Sequence, residues 1–177
     1  HRPIIPNRIG ARCADRRRST GRTEVDRIRA HRSTRPATRV AAALAALALV
    51  LSGCLSSSQT QDIDYINNTR ASYGKSALSA DLAAANKAQA WAEHMAATGV
   101  LEHTGGGSKL DTSGVSGWCA YGENVGSGPT LSGIHHAFMQ SGPHKANILG
   151  NWHRVGTGVY RDGGGTVWVT EIYLRNC

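Results

Sequence analysis

Apolar positions fall into three kinds of pattern along the chain. Residues 40–51 form an unbroken apolar run of twelve, from Val40 to Leu51. Over 62–72, Ile63, Ile66 and Ala71 recur at helical spacing, and Gly74 stops the element. A longer helix is predicted through Leu82, Ala85, Ala88, Trp91, Ala92 and Met95, ending near Thr98 before Gly99. Ser79 is placed to cap it, Asp81 falls in its first turn, and its alanine face permits close packing on a neighbour. Residues 130–140 read as a third helix and 145–149 as a short fourth. Residues 155–161 and 166–174 read as strands joined at Asp162-Gly163-Gly164-Gly165, a hairpin signal. In the second strand Trp168, Ile172 and Leu174 share one face while Val167, Val169 and Tyr173 share the other, which predicts burial on both sides. The glycine-rich stretch 105–117 is followed by Glu123-Asn124-Val125 and then by a loop through Gly126, Gly128 and Pro129. These elements predict an α+β fold, a small sheet covered by helices on its two faces.

Charge changes this picture only once the chain is divided. The overall formal charge of +8 points to nucleic acid or membrane partners. Residues 1–53 account for it, with twelve Arg, no Lys and three acidic residues. The remainder holds eight basic and nine acidic residues, so nucleic-acid binding is set aside. Residues 1–53 therefore read as a leader: an arginine-rich stretch, an apolar run and small residues Ser52-Gly53. Twelve residues rise about 18 Å as a helix against a hydrocarbon core of roughly 30 Å, too little to span it. The first methionine is Met95, which favours a start at a valine codon such as Val25, with 1–24 outside the product.

Leu51-Ser52-Gly53-Cys54 resembles the lipobox of bacterial lipoproteins. That resemblance implies diacylglyceryl transfer to the Cys54 thiol, cleavage before it, export, and a membrane as partner through the lipid anchor. Residues 54–61 then read as a polar tether and 62–177 as the folded domain. With Cys13 in the leader and Cys54 acylated, Cys119 and Cys177 remain, and an even remainder in an exported chain suggests one disulfide. Two free thiols are the alternative.

Most signatures of catalysis are absent. Gly105-Gly106-Gly107-Ser108-Lys109 lacks phosphate-loop spacing, Gly114-Val115-Ser116-Gly117-Trp118 lacks the second glycine of a nucleophile elbow, and no cysteines are spaced for structural zinc. What remains is histidine, at His94, His103, His135, His136, His144 and His153.

An ordered series of motifs sharpens this. Glu102-His103, Gly122-Glu123-Asn124-Val125, the run from Ser141-Gly142-Pro143-His144 to Leu149, and Val155-Gly156-Thr157-Gly158-Val159 together resemble the bacterial branch of the CAP superfamily, the SCP-like extracellular domains. The resemblance implies a three-layer α-β-α sandwich, secretion, and a central cleft where two histidines and two acids can hold a divalent metal. Motif by motif, His103 and His144 match the histidines and Glu123 the first acid, while the second acid falls at Ser141. The expected metal set is thus His103, Glu123 and His144, with Ser141 in the cleft and zinc, weakly bound, as the cofactor. His94, His135, His136 and His153 match no cleft position and read as surface groups, and Lys145 reads as solvated. Glu171, inside a buried strand, has no account from sequence. Two functions compete: a non-enzymatic binding domain for a lipid or envelope component, and a metal-dependent hydrolase of the envelope.

Overall fold

The computed structural model describes residues 54–177, so the expectations for the leader lie outside the described residues. The first helix, α1 (Ser57–Ser72), starts inside the segment read as a tether. The reason was present in the sequence. Ser56 accepts from the Gln59 backbone N–H, the Gln59 side chain accepts from Ser56 N–H, and this capping box starts the helix. Gln59 is itself buried, its amide donating to Ala85 O at 3.3 Å and Thr157 O at 2.8 Å. The folded unit therefore includes residues 56–61.

A two-residue strand, β1 (Ser79–Ala80), follows, and it moves the cap of the next helix from Ser79 to Asp81, whose carboxylate accepts from Ala84 N–H at 2.8 Å. That helix is α2 (Leu82–Thr98), closed by Gly99 in the left-handed conformation at φ 70°. Then come β2 (Ala120–Gly128), α3 (Leu131–Gln140), α4 (Gly142–Ile148), β3 (Arg154–Arg161) and β4 (Val167–Arg175). The strand β2 takes in Glu123 and corrects the loop expected through Gly126 and Gly128. It pairs antiparallel with β4 along its whole length, Ala120 opposite Arg175 and Gly128 opposite Val167.

The sheet order is β1-β3-β4-β2, with β1 parallel to β3 and the other pairs antiparallel. Alternation along β4 separates two cores. Val167, Val169 and Tyr173 pack with Ile63, Ile66, Ile134, Phe138 and Ile148, the layer of α1, α3 and α4. Ile172 and Leu174 pack with Ala84 and Ala88, and Trp168 with Ala92 and Met95, the layer of α2. The fold is the expected three-layer α-β-α sandwich. Its tightest joint lies where α2 crosses β3: a Cβ at Gly156 or Gly158 would overlap the main chain of Ala84–Ala85 or Ala88. The alanine face of α2 and the glycines of β3 are two halves of one close approach.

Cys119 and Cys177 form a disulfide with a Cα–Cα separation of 4.9 Å. Cys119 N–H also donates to Arg175 O at 2.7 Å, so the bond clasps the β2/β4 ladder at its end.

Candidate functional site

β2 is an edge strand, and the two ends of its neighbourhood bring the sequence-predicted residues into one region. On the α2 side, Glu123 is buried with 3% exposure. Its Oε1 accepts from Thr104 N–H at 3.0 Å and lies 2.8 Å from His103 Nδ1. With Glu123 as carboxylate, His103 Nδ1–H is the donor, which leaves the Nε2 lone pair of His103 available. The segment after α2 is held to make this possible. Trp91 Nε1–H donates to Glu102 O at 2.8 Å, His103 N–H to Gly107 O, and Gly107 N–H to the Glu102 carboxylate at 2.9 Å. Glu123 Oε2 is buried and has no hydrogen-bond partner among the described residues.

On the other side, His144 stands in the first turn of α4, its ring 4.8 Å from that of Phe138. Burial depresses its pKa, and the field of His103 depresses it further, so the neutral ring is favoured. Asn147 Nδ2–H donates to Glu123 O at 3.0 Å and to Asn124 Oδ1 at 2.9 Å, while Asn124 Nδ2–H donates to His144 O at 3.3 Å. Both asparagines therefore lace α4 to β2.

His103 and Glu123 are brought together directly, with His144 close enough for its titration to feel His103. Ser141 joins α3 to α4, with its N–H bonded to Ala137 O and Phe138 O, and its hydroxyl makes no capping bond. Among the described residues no group of three or more His, Cys, Asp or Glu side chains is disposed to hold a metal ion. The expected three-ligand set does not fit: Glu123 spends an oxygen on orienting His103 from behind. What the geometry offers a cation is two imidazoles, one of them backed by a buried carboxylate.

Two histidines read as surface groups have other duties. His135 is half-buried, lies 2.8 Å from Thr69 Oγ1 and stacks on Tyr65 with centroids 5.6 Å apart. His153 Nδ1 accepts from Asn176 N–H at 3.0 Å. Lys145 lies over the Tyr73 ring, 5.1 Å from its centre, rather than free in solvent. The sequence reading also missed a buried polar layer around Glu171, whose signal was a carboxylate in an otherwise apolar strand.

Comparison with known proteins now has a fold to refer to. In solved structures, the chain is similar to venom allergen-like protein 4 of Schistosoma mansoni, with TM-score 0.56 and 14% identity over 70% of this chain and 91% of that one. It is similar to an outer surface protein of Borrelia burgdorferi, with TM-score 0.55 and 14% identity over 66% and 94%. An extracellular SCP-domain protein of Bacillus anthracis gives TM-score 0.55 and 22% identity over 71% of this chain and 45% of that one. No curated protein sequence matches the chain. The model of the cysteine-rich secretory protein family, CAP, matches residues 63–173, and the chain belongs to that family.

Proposed function

We propose that this CAP-domain chain is an exported binding protein, held to a membrane by lipid on Cys54, whose cleft takes a lipid or cell-envelope ligand. The observation that carries the reading is the His103–Glu123 pair at the edge of the sheet. A buried carboxylate fixes one imidazole, a second lies near enough for its titration to feel the first, and among the described residues no hydroxyl or thiol is hydrogen-bonded to His103 to serve as a nucleophile. That constellation suits recognition better than acyl transfer. The surface and extracellular labels of the similar Borrelia and Bacillus proteins support export. The lipid anchor rests on the motif ending at Cys54. The intact mass of the mature protein tests it: a mass increment of a diacylglyceryl group on Cys54 is expected, and an unmodified Cys54 would remove the anchor.

Zinc is the ion two neutral imidazoles would hold weakly, with Glu123 setting the tautomer of His103. Titration calorimetry of the chain with zinc, beside His103→Ala, His144→Ala and Glu123→Gln, tests this. The expected result is binding in the parent, none in either histidine variant, and a roughly 10- to 100-fold weaker affinity in Glu123→Gln. Absence of heat in the parent would make the histidines structural and remove the metal from the proposal.

A further inference from the structure

Behind the cleft, between the sheet and α1, lies a second group of ionisable side chains that the cleft does not use. Asp62 on α1 and Glu171 on β4 are both fully or almost fully buried, at 1% and 0% exposure. Glu171 Oε2 accepts from Tyr173 O–H at 2.5 Å and from Asn124 Nδ2–H at 2.8 Å. Its other oxygen, and both oxygens of Asp62, find no hydrogen-bond donor among the described residues. Buried polar atoms are nearly always satisfied, so three orphan carboxyl oxygens in one layer require an explanation. Two carboxylates cannot both be ionised there without a counter-charge. The remaining groups facing the pair do not supply one. Thr157 on β3 gives its hydroxyl hydrogen to Gln59 O. From β2 and α4 come the neutral Asn124 and the backbone carbonyl of His144. Arg70 on α1 exerts its field on Tyr173, but its Nε and Nη1 donate to Ser76 O, Ile148 O and Gly150 O, and it makes no ion pair with either carboxyl among the described residues. Three oxygens are also too few for a hard cation such as calcium, which takes six or more. A proton satisfies the site with what is present.

We propose that Asp62 and Glu171 form a proton-binding site whose occupancy is passed through Asn124 to α4, and so to the seat of His144 in the cleft. The relay is explicit. Asn124 bonds Glu171 and His144 O with one nitrogen and accepts from Asn147 with its oxygen. Ionisation of Glu171 strengthens its pull on Asn124 Nδ2–H at the expense of the longer bond to His144 O. This coupling does not depend on what the cleft binds.

Burial raises the pKa of both acids, with each other's charge adding to the effect on Asp62, and Glu171 is pushed up to about 7. The step belongs to the pair. Because the folded pKa values exceed the unfolded ones, the folded state holds extra protons above about pH 4. Stability contributed by this site is therefore present at acid pH, declines as pH rises, and the Glu171 part levels off above about 7.

The test is a pH titration of the full chain from 5 to 9, following the side-chain amide NMR signals of Asn124 and Asn147, with thermal unfolding run alongside. The parent should show one step near neutrality at both amides, and a falling melting temperature across it. Glu171→Gln, which keeps shape and the bond to Asn124, should remove the step. Asp62→Asn removes the second carboxyl, whose charge and that of Glu171 oppose each other, and should lower the midpoint by at least one pH unit. A step unmoved in Asp62→Asn, or no step in the parent, would overturn the proposal. So would calcium restoring the low-pH spectrum above the midpoint, since the site would then bind a cation.

Discussion

At the scale of single residues, the most constrained positions are small ones. Gly158 lets the main chain of α2 approach β3 so closely that a methyl group has nowhere to go. Because the obstacle is backbone within a helix, relief requires the whole of α2 to shift off the sheet. Gly158→Ala is expected to cost about 3 kcal/mol, at the upper end for overpacking, measured by denaturant unfolding. A far-from-joint control such as Gly163→Ala, whose Cβ would meet nothing within 4 Å, should change little. The sequence made half of this legible. The alanine spacing of α2 announced a close neighbour, but nothing in Val155-Gly156-Thr157-Gly158-Val159 said which helix would fill the glycine notches. Site residues follow the same rule. His103, Glu123 and His144 were readable from ordered motifs, whereas the role of Glu123 behind His103 depends on which face of a strand it occupies. That strand was not recognised.

At the scale of elements, β2 shows why. Gly122, Gly126 and Gly128 carry the local signature of a loop, and glycine is a poor strand former. Tertiary packing overrides it: a Cβ at Gly122 would crowd Trp152 and Asn147, and one at Gly126 would crowd Phe138. The glycines are there so that α3 and α4 can sit on the strand. α1 was read over 62–72 but its start was missed in the opposite direction, since Ser56-Ser57-Ser58-Gln59 looked like polar spacer yet contained the capping signature. The elements read correctly were those with long apolar periodicity, namely α2, α3, β3 and β4. The disulfide belongs to this scale, because it joins the start of β2 to the end of β4. Its closed loop spans a sequence separation of 58, for which the chain-entropy relation gives about 4 kcal/mol. Cys119→Ser with Cys177→Ser should lose up to that amount in chemical unfolding, with an unchanged β2/β4 register by amide exchange.

At the scale of the molecule, the folded unit is bounded by chemistry rather than by composition. The described residues form one compact unit, and Gln59 ties α1 to α2 and β3 at once. A chain shortened to begin at Asp62 keeps Ile63 and Ile66 but loses the packing of Leu55, the cap, and three bonds of Gln59, two from its amide and one from the Thr157 hydroxyl. Taking about 1 kcal/mol for the cap and about 1 for each bond, the polar loss alone is roughly 4 kcal/mol. Its melting temperature should fall by roughly 10 °C or more relative to a chain beginning at Gly53. Equal melting temperatures would show that residues 53–61 are a spacer after all.

The strand order has a consequence for how the protein comes into being. β4 is central in the sheet, flanked by β3 and β2, and it is the last of the four to be synthesised. Until it emerges, β2 has no partner, the glycine-cut grooves have no floor, and the edge that carries Glu123 is not yet an edge of anything. Such long-range pairing cannot be completed until the final residues of the chain are available. Synthesis thus leaves a window in which the first three strands are present but the sheet has no centre, and the last nine-residue strand closes both sides of it at once.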